Sequence, residues 1–358
     1  MRKLRSKSST NQGQGGLDSI ILKKAKSASN SSLTNSSIGK RASTMAPFQH
    51  MPLHEGVKYI SGTPDQSYSE YNLHQIKNFT TDFGIKQNGS ELGLNVYSLD
   101  DNAMALVILC EHYELTREKR NLELIEIYLN FIEYCLQPTG YFFKYVDAEK
   151  KFTQENETTN LADTTGCALW ALGYLISKKN MFPSTIVEKA EAMFQTALQG
   201  VKKIYSTRAI AYIIKGLHYY NTKNETIEAV WLIKKLGDQL VTLYKETENN
   251  QWKWFQQTVS IESSLIAEAL LCAWKTTGVP AYREISKTSF DFLLSKIFNN
   301  EVDAIHEEEK MFERKRSMDV NTFIFALNSF YKVFKEEEYL LRIKRASEWQ
   351  KWNKFMQF

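Results

Sequence analysis

The chain has 358 residues, of which 43% are hydrophobic and 13% aromatic, so it can bury a sizeable core as one large domain or two ordinary ones. No apolar run approaches the ~18 residues that a membrane span needs, which makes this a globular rather than a spanning sequence. The net charge of +4 is divided unevenly: residues 1–50 hold nine Lys or Arg against Asp18 alone, which leaves the rest of the chain at −4 and gives no reason to expect nucleic-acid binding by the folded body.

Taken in order, residues 1–67 form a basic tail and linker rich in Ser, Asn and Gly, with the composition of a disordered segment. The ordered domain is expected over residues 68–358, entered by a short helix or turn that ends at Gly84. The stretch Ser98–Leu115 is apolar nearly all round a helix, the signature of a helix buried on most sides. It nevertheless opens on a polar tip, with Ser98 as N-cap and Asp100, Asp101 and Asn102 in the first turn.

The same design recurs at Asn160–Ile176, Ser206–Tyr220, Ser260–Trp274 and Ser317–Tyr331. Between these buried helices lie amphipathic ones with charged outer faces, at Lys119–Leu136, Pro183–Leu198, Thr226–Lys245, Ala281–Phe298 and Glu336–Phe355. Pro138 with Gly140, Pro183, and Gly278 with Pro280 mark the breaks, and the only strand signal is Tyr141–Val146. An irregular repeat of hairpins with greasy helices inside and charged ones outside predicts an all-α, closed two-layer α/α ring rather than an open solenoid. In such a ring the inner helices run parallel, so their polar tips meet at one end of a funnel.

The converging tips supply Asp100, Asp101, Asn102, Asp163, Thr164, Arg208, Glu262, Ser263, Asp319 and Asn321. Carboxylates facing one another across a cleft can divide acid and base work, as glycosidic bond cleavage requires, although Asp and Ser at a helix start are also ordinary caps. The loops that enter the inner helices carry Tyr141, Phe142, Phe143 and Tyr145 ahead of Asp163, and Trp252, Trp254 and Phe255 ahead of Glu262. Flat aromatic faces suit the C–H faces of sugar rings, and the alternative is that the two tryptophans plug the end of the ring. Cys110, Cys135, Cys167 and Cys272 lie in apolar helical contexts without CxxC spacing, as expected of buried free thiols in a reducing cytoplasm. The six histidines lack metal-ligand spacing, and there is no phosphate-binding glycine loop, so no cofactor is expected.

Several stretches together resemble a known family: TTDFGIKQ (Thr80–Gln87), YSLDDNAMAL (Tyr97–Leu106), YLNFIEYC (Tyr128–Cys135), ADTTGCALWALGYLI (Ala162–Ile176), STRAIAYIIKGL (Ser206–Leu217), and WKWFQQ followed by AEALL (Ala267–Leu271). They are similar to bacterial six-hairpin, (α/α)6-toroid proteins related to glycosidases and often fused to, or encoded beside, glycosyltransferases. The resemblance implies carbohydrate metabolism, and with the converging tips it leads to the expectation of a protein acting on or holding a glycan in the funnel, with Asp101, Asp163 and Glu262 as catalytic carboxylates. Asp100, Asn102, Arg208, Trp252, Trp254, Tyr145 and Asp319 would then bind substrate.

The chain departs from the family pattern at Met104 and Cys167, where the family has Arg, and at Gln256, where it has Glu. These changes raise the alternative of a catalytically degenerate module that binds a glycan or partners a glycosyltransferase. The family also continues into a sixth inner helix, so the ring is expected to be incomplete at the C-terminus. Its open seam should be covered by the N-terminal segment, Tyr71–Gly84, or by a second subunit in a homo-oligomer.

Overall fold

The computed structural model describes Leu73 and residues 76–87, 96–201, 204–298 and 317–355. The expected tail at 1–67 and the charged run His306–Arg316 lie outside the described residues. Among the described residues, ten long α-helices follow one another in pairs: α1 Leu99–Thr116, α2 Lys119–Cys135, α3 Leu161–Ser177, α4 Ser184–Gly200 and α5 Thr207–Asn221. The series continues with α6 Ile227–Thr247, α7 Ser264–Thr277, α8 Pro280–Ile297, α9 Ser317–Phe334 and α10 Glu337–Phe355.

Each odd-numbered helix packs on the even-numbered one that follows it, and the odd-numbered helices pack on one another in the order α1, α3, α5, α7, α9. This is an all-α, (α/α)6-toroid-like architecture with five inner helices among the described residues. The sorting follows from composition: α1 and α3 are buried along almost their whole length, whereas α2, α4 and α6 bury one stripe each and give their charged faces to water.

Several helix ends obey local chemistry. Asn160 caps α3 through Ala162 N–H (3.2 Å), Ser206 caps α5 through Ala209 N–H (3.4 Å), and Thr226 caps α6 through Ala229 N–H (3.2 Å). Gly278 closes α7 in the left-handed conformation, and Pro280 opens α8 at its first turn. Ser98 occupies the N-cap position of α1 as the last residue of a strand and is buried there, but makes no side-chain cap. Pro183 stands one residue before α4 rather than inside its first turn. Ahead of α7 a short 3-10 turn, Ile261–Ser263, carries Glu262.

A three-stranded antiparallel sheet adds what the sequence hinted at only once. β1 (Lys86–Gln87), β2 (Val96–Ser98) and β3 (Tyr145–Val146) pair in that order, with Lys86 opposite Tyr97 and Ser98 opposite Tyr145. The chain runs from β2 straight into α1, so the sheet sets where the α1 tip stands. The segment before β1 docks on the first hairpin: Phe83 meets Tyr97, Phe131 and Tyr134 edge-on at 5.1, 5.2 and 5.3 Å, and Thr80 hydrogen-bonds Tyr128. Trp170 of α3 meets Phe325 of α9 edge-on at 5.8 Å, although α5 and α7 separate these helices in ring order. Side chains of inner helices that are not neighbours in ring order therefore meet below the helix tips.

Candidate functional site

The tips of the inner helices converge electrostatically on Arg208, the second residue of α5. Its guanidinium lies 3.7 Å from Glu262 and 5.7 Å from the ring centroid of Tyr212, one helical turn deeper. The Tyr212 phenol raises its affinity for the proton; burial opposes this, and the carboxylates of Asp100 on α1 and Asp319 on α9 reinforce it. Residues that the sequence separates by more than two hundred positions thus act on one cation.

Asp100 is buried and pairs with Lys144 at 3.0 Å. Burial alone would lower the Lys144 ammonium, but Asp100 beside it, together with Tyr145, holds it above the ordinary lysine value. Lys144 reaches this position because β3 pairs with β2 and because Leu99 N–H donates to the Lys144 carbonyl (2.8 Å). Behind it the buried Asn156 knits the loop, accepting from Lys144 N–H (2.6 Å) and Tyr145 N–H (3.0 Å) and donating to the Tyr145 carbonyl (2.8 Å). Only one Asp100 oxygen is used in this way. Oδ1 is buried with no hydrogen-bond partner among the described residues, a costly state.

Asp101 is partly exposed at the same tip. Asp163, partly exposed at the start of α3, accepts a hydrogen bond from Ser206 Oγ, so the α5 cap also orients a candidate carboxylate. Cys167 lies one turn below Asp163 among these charges. Burial pushes its thiol well up and Asp100 adds to the effect, so it stays an S–H rather than a thiolate nucleophile. Tyr145 stands at the edge of the group, with Lys144 Nζ 5.1 Å from its ring centroid.

The structure therefore gathers Asp100, Asp101, Asp163, Arg208, Glu262 and Asp319 at one end of the ring. Sequence reasoning missed Lys144, Ser206, Tyr212 and Asn156: a lysine in a loop, a cap, an apolar-looking helix position and a loop amide offered no local signal.

Two expected ligand contacts, Asn102 and Trp254, are buried in the fold, and a third, Trp252, is half-buried and held by its neighbours. Asn102 is fully buried and clamps the N-terminal segment, accepting from Ile85 N–H (2.8 Å) and donating to the Ile85 and Ser98 carbonyls (3.3 and 2.8 Å). Trp254 is 0% exposed and packs edge-on to Phe255 at 5.4 Å, so no sugar face can reach it in this conformation. Trp252 leans on Phe292 of α8 at 5.2 Å and donates its indole N–H to the Gln256 carbonyl (2.8 Å). The two tryptophans do not form one stacking surface, because their segment bends rather than extends. Phe142 is likewise buried.

No family model matches the sequence, and no curated protein matches it. Solved structures do resemble its fold. A D-mannose isomerase aligns over 82% of this chain and 88% of its own, with a TM-score of 0.53 and 12% identity. A sugar epimerase from a ruminal bacterium aligns over 79% and 84% (TM-score 0.53, 11% identity), and a GH76 α-mannanase from Bacteroides thetaiotaomicron over 79% and 82% (TM-score 0.55, 12% identity). Identity this low speaks for architecture alone, and on that ground the chain shares the (α/α)6-toroid-like fold of these three proteins, with five helical hairpins among its described residues.

Proposed function

We propose that this is a carbohydrate-processing protein that receives a glycan at the mouth formed by the N-terminal ends of the inner helices. The observation that carries the reading is the convergence of acids from α1, α9 and the turn before α7 around Arg208, with Asp163 of α3 held by the neighbouring Ser206. The fold, which three sugar-acting proteins share, supports it. Carboxylates and a fixed guanidinium are the groups that hold sugar hydroxyls in bidentate hydrogen bonds, and a pair of carboxylates can divide proton donation and water activation between them. Asp101, Asp163 and Glu262, all partly exposed, are the proposed catalytic carboxylates. Asp100, Arg208, Asp319 and Tyr145 are the proposed binding groups.

The alternative is a module that binds a glycan, or partners a glycosyltransferase, without turnover. It draws support from the two uncharged residues beside the site, Met104 and Cys167, both buried, and from the engagement of Glu262 with Arg208 and of Asp163 with Ser206.

A glycan array probed with the wild-type chain and with Asp101→Asn, Asp163→Asn and Glu262→Gln, followed by product analysis on every hit, separates the readings. An active enzyme loses turnover in at least one variant while retaining most of its binding. A binding module shows trimmed affinity and no product. Absence of binding to any glycan by the folded protein overturns both.

A further inference from the structure

Below the mouth, α5 presents Arg208, Tyr212 and Lys215 at i, i+4 and i+7, a single stripe of the helix. Tyr212 lies under the Arg208 guanidinium and stacks on Trp170 of α3, with centroids 5.7 Å apart and planes 27° apart. Lys215 Nζ also sits 4.2 Å from the Trp170 ring centroid. The same ammonium lies 2.6 Å from Glu268 Oε2 on α7, and Glu268 Oε1 accepts from Ser329 Oγ on α9 at 2.7 Å. One ladder of cation, ring, ring, cation, carboxylate and hydroxyl thus links four inner helices and ends at the cation of the mouth.

Lys215 and Glu268 are each 1% exposed at the side chain. A buried ion pair seldom stabilises more than two well-packed apolar side chains would, since desolvation offsets the attraction. What it supplies is direction: an ammonium is drawn to the face of an indole, and the carboxylate fixes where that ammonium stands. Trp170 needs such a hold, because its buried indole N–H has no hydrogen-bond partner among the described residues.

We propose that Lys215 is a positioning residue for Arg208, acting through Trp170 and Tyr212 and anchored by Glu268 and Ser329. Its binding consequence rests on the carbohydrate reading of the mouth; its structural consequence does not.

The test uses the full chain labelled with 15N-arginine, the Arg208 Nε–Hε signal being assigned by its loss in Arg208→Lys. Lys215→Met should move that signal, whereas Leu240→Ala, a core change on α6, should not. The decisive variant is the double substitution Lys215→Met with Glu268→Leu, which leaves no orphan charge. It should recover thermal stability close to wild type without restoring the Arg208 signal, whereas for a merely structural pair the two recover together. If Lys215→Met does not fold, Glu268→Gln and the double variant report on the same ladder.

For any glycan that the array identifies, Kd in Lys215→Met, Arg208→Lys and their combination should depart from additivity by about threefold or more. An Arg208 signal unchanged in every folded variant, or additive Kd values, overturns the proposal. If no glycan binds, the carbohydrate reading fails and the arginine signal alone decides the ladder.

Discussion

A Cβ placed on Gly173 of α3 would stand 2.2 Å from the carbonyl oxygen of Gly216 on α5. The reciprocal addition at Gly216 would put a Cβ 2.6 Å from the Leu169 carbonyl, and one at Gly166 would come within 3.0 Å of the Ala209 carbonyl. The two inner helices that carry Cys167, Trp170, Arg208, Tyr212 and Lys215 therefore touch backbone to backbone, and the geometry of the ladder depends on that approach. Backbone cannot rotate aside as a side chain can. Gly173→Ala and Gly216→Ala should each destabilise the protein by at least about 2–3 kcal/mol in urea unfolding. Gly278→Ala, at φ 72° with nothing nearby, should cost only about 1 kcal/mol for its conformation.

Asn102→Ala should release the segment before β1 rather than weaken ligand binding directly. The substitution leaves Ile85 N–H and the Ile85 and Ser98 carbonyls without their side-chain partner, a loss of about 2–3 kcal/mol. Faster amide exchange at residues 80–87, with the helices still protected, would confirm the clamp. Uniform loosening of the whole chain would contradict it.

Trp254→Ala should act on stability, costing roughly 3–5 kcal/mol, because it empties a site at 0% exposure. Trp252→Ala, at a half-buried ring, should cost about 1 kcal/mol. Thermal unfolding of the two variants checks the order; equal losses would show that the segment packs differently.

His218 sets a pH dependence. Burial, with Lys275 and Lys215 adding to it, drives the imidazole down to about 3, and Thr276 Oγ1 lies 2.7 Å from its Nδ1. Between about 6.5 and 3 the unfolded chain binds a proton that the folded chain does not. Its contribution is therefore present above pH 6.5 and is lost as the pH falls, at up to about 1.4 kcal/mol per pH unit. His218→Asn should flatten urea stability between pH 6.5 and 5, a range above most carboxylate titration. An unchanged slope would show that His218 is protonated in the folded state.

Residue order alone determined the alternation of all-round apolar and amphipathic helices, and with it the all-α ring, because burial periodicity is a local property that each helix carries by itself. The polar tips at Asp100, Asp163, Arg208, Glu262 and Asp319 were legible for the same reason: a helix start is marked by its own first turn. Only the tertiary structure decided which polar residues meet. Asn102, one position from Asp101, turns inward because the Ile85 backbone arrives there from another element, and Trp254 differs from Trp252 because their segment bends. Lys144, Tyr212 and the Lys215–Glu268 pair acquire their roles across helices and strands far apart in sequence. Such pairings are settled by how backbones approach, here through Gly173 and Gly216, and no window of consecutive residues records that distance.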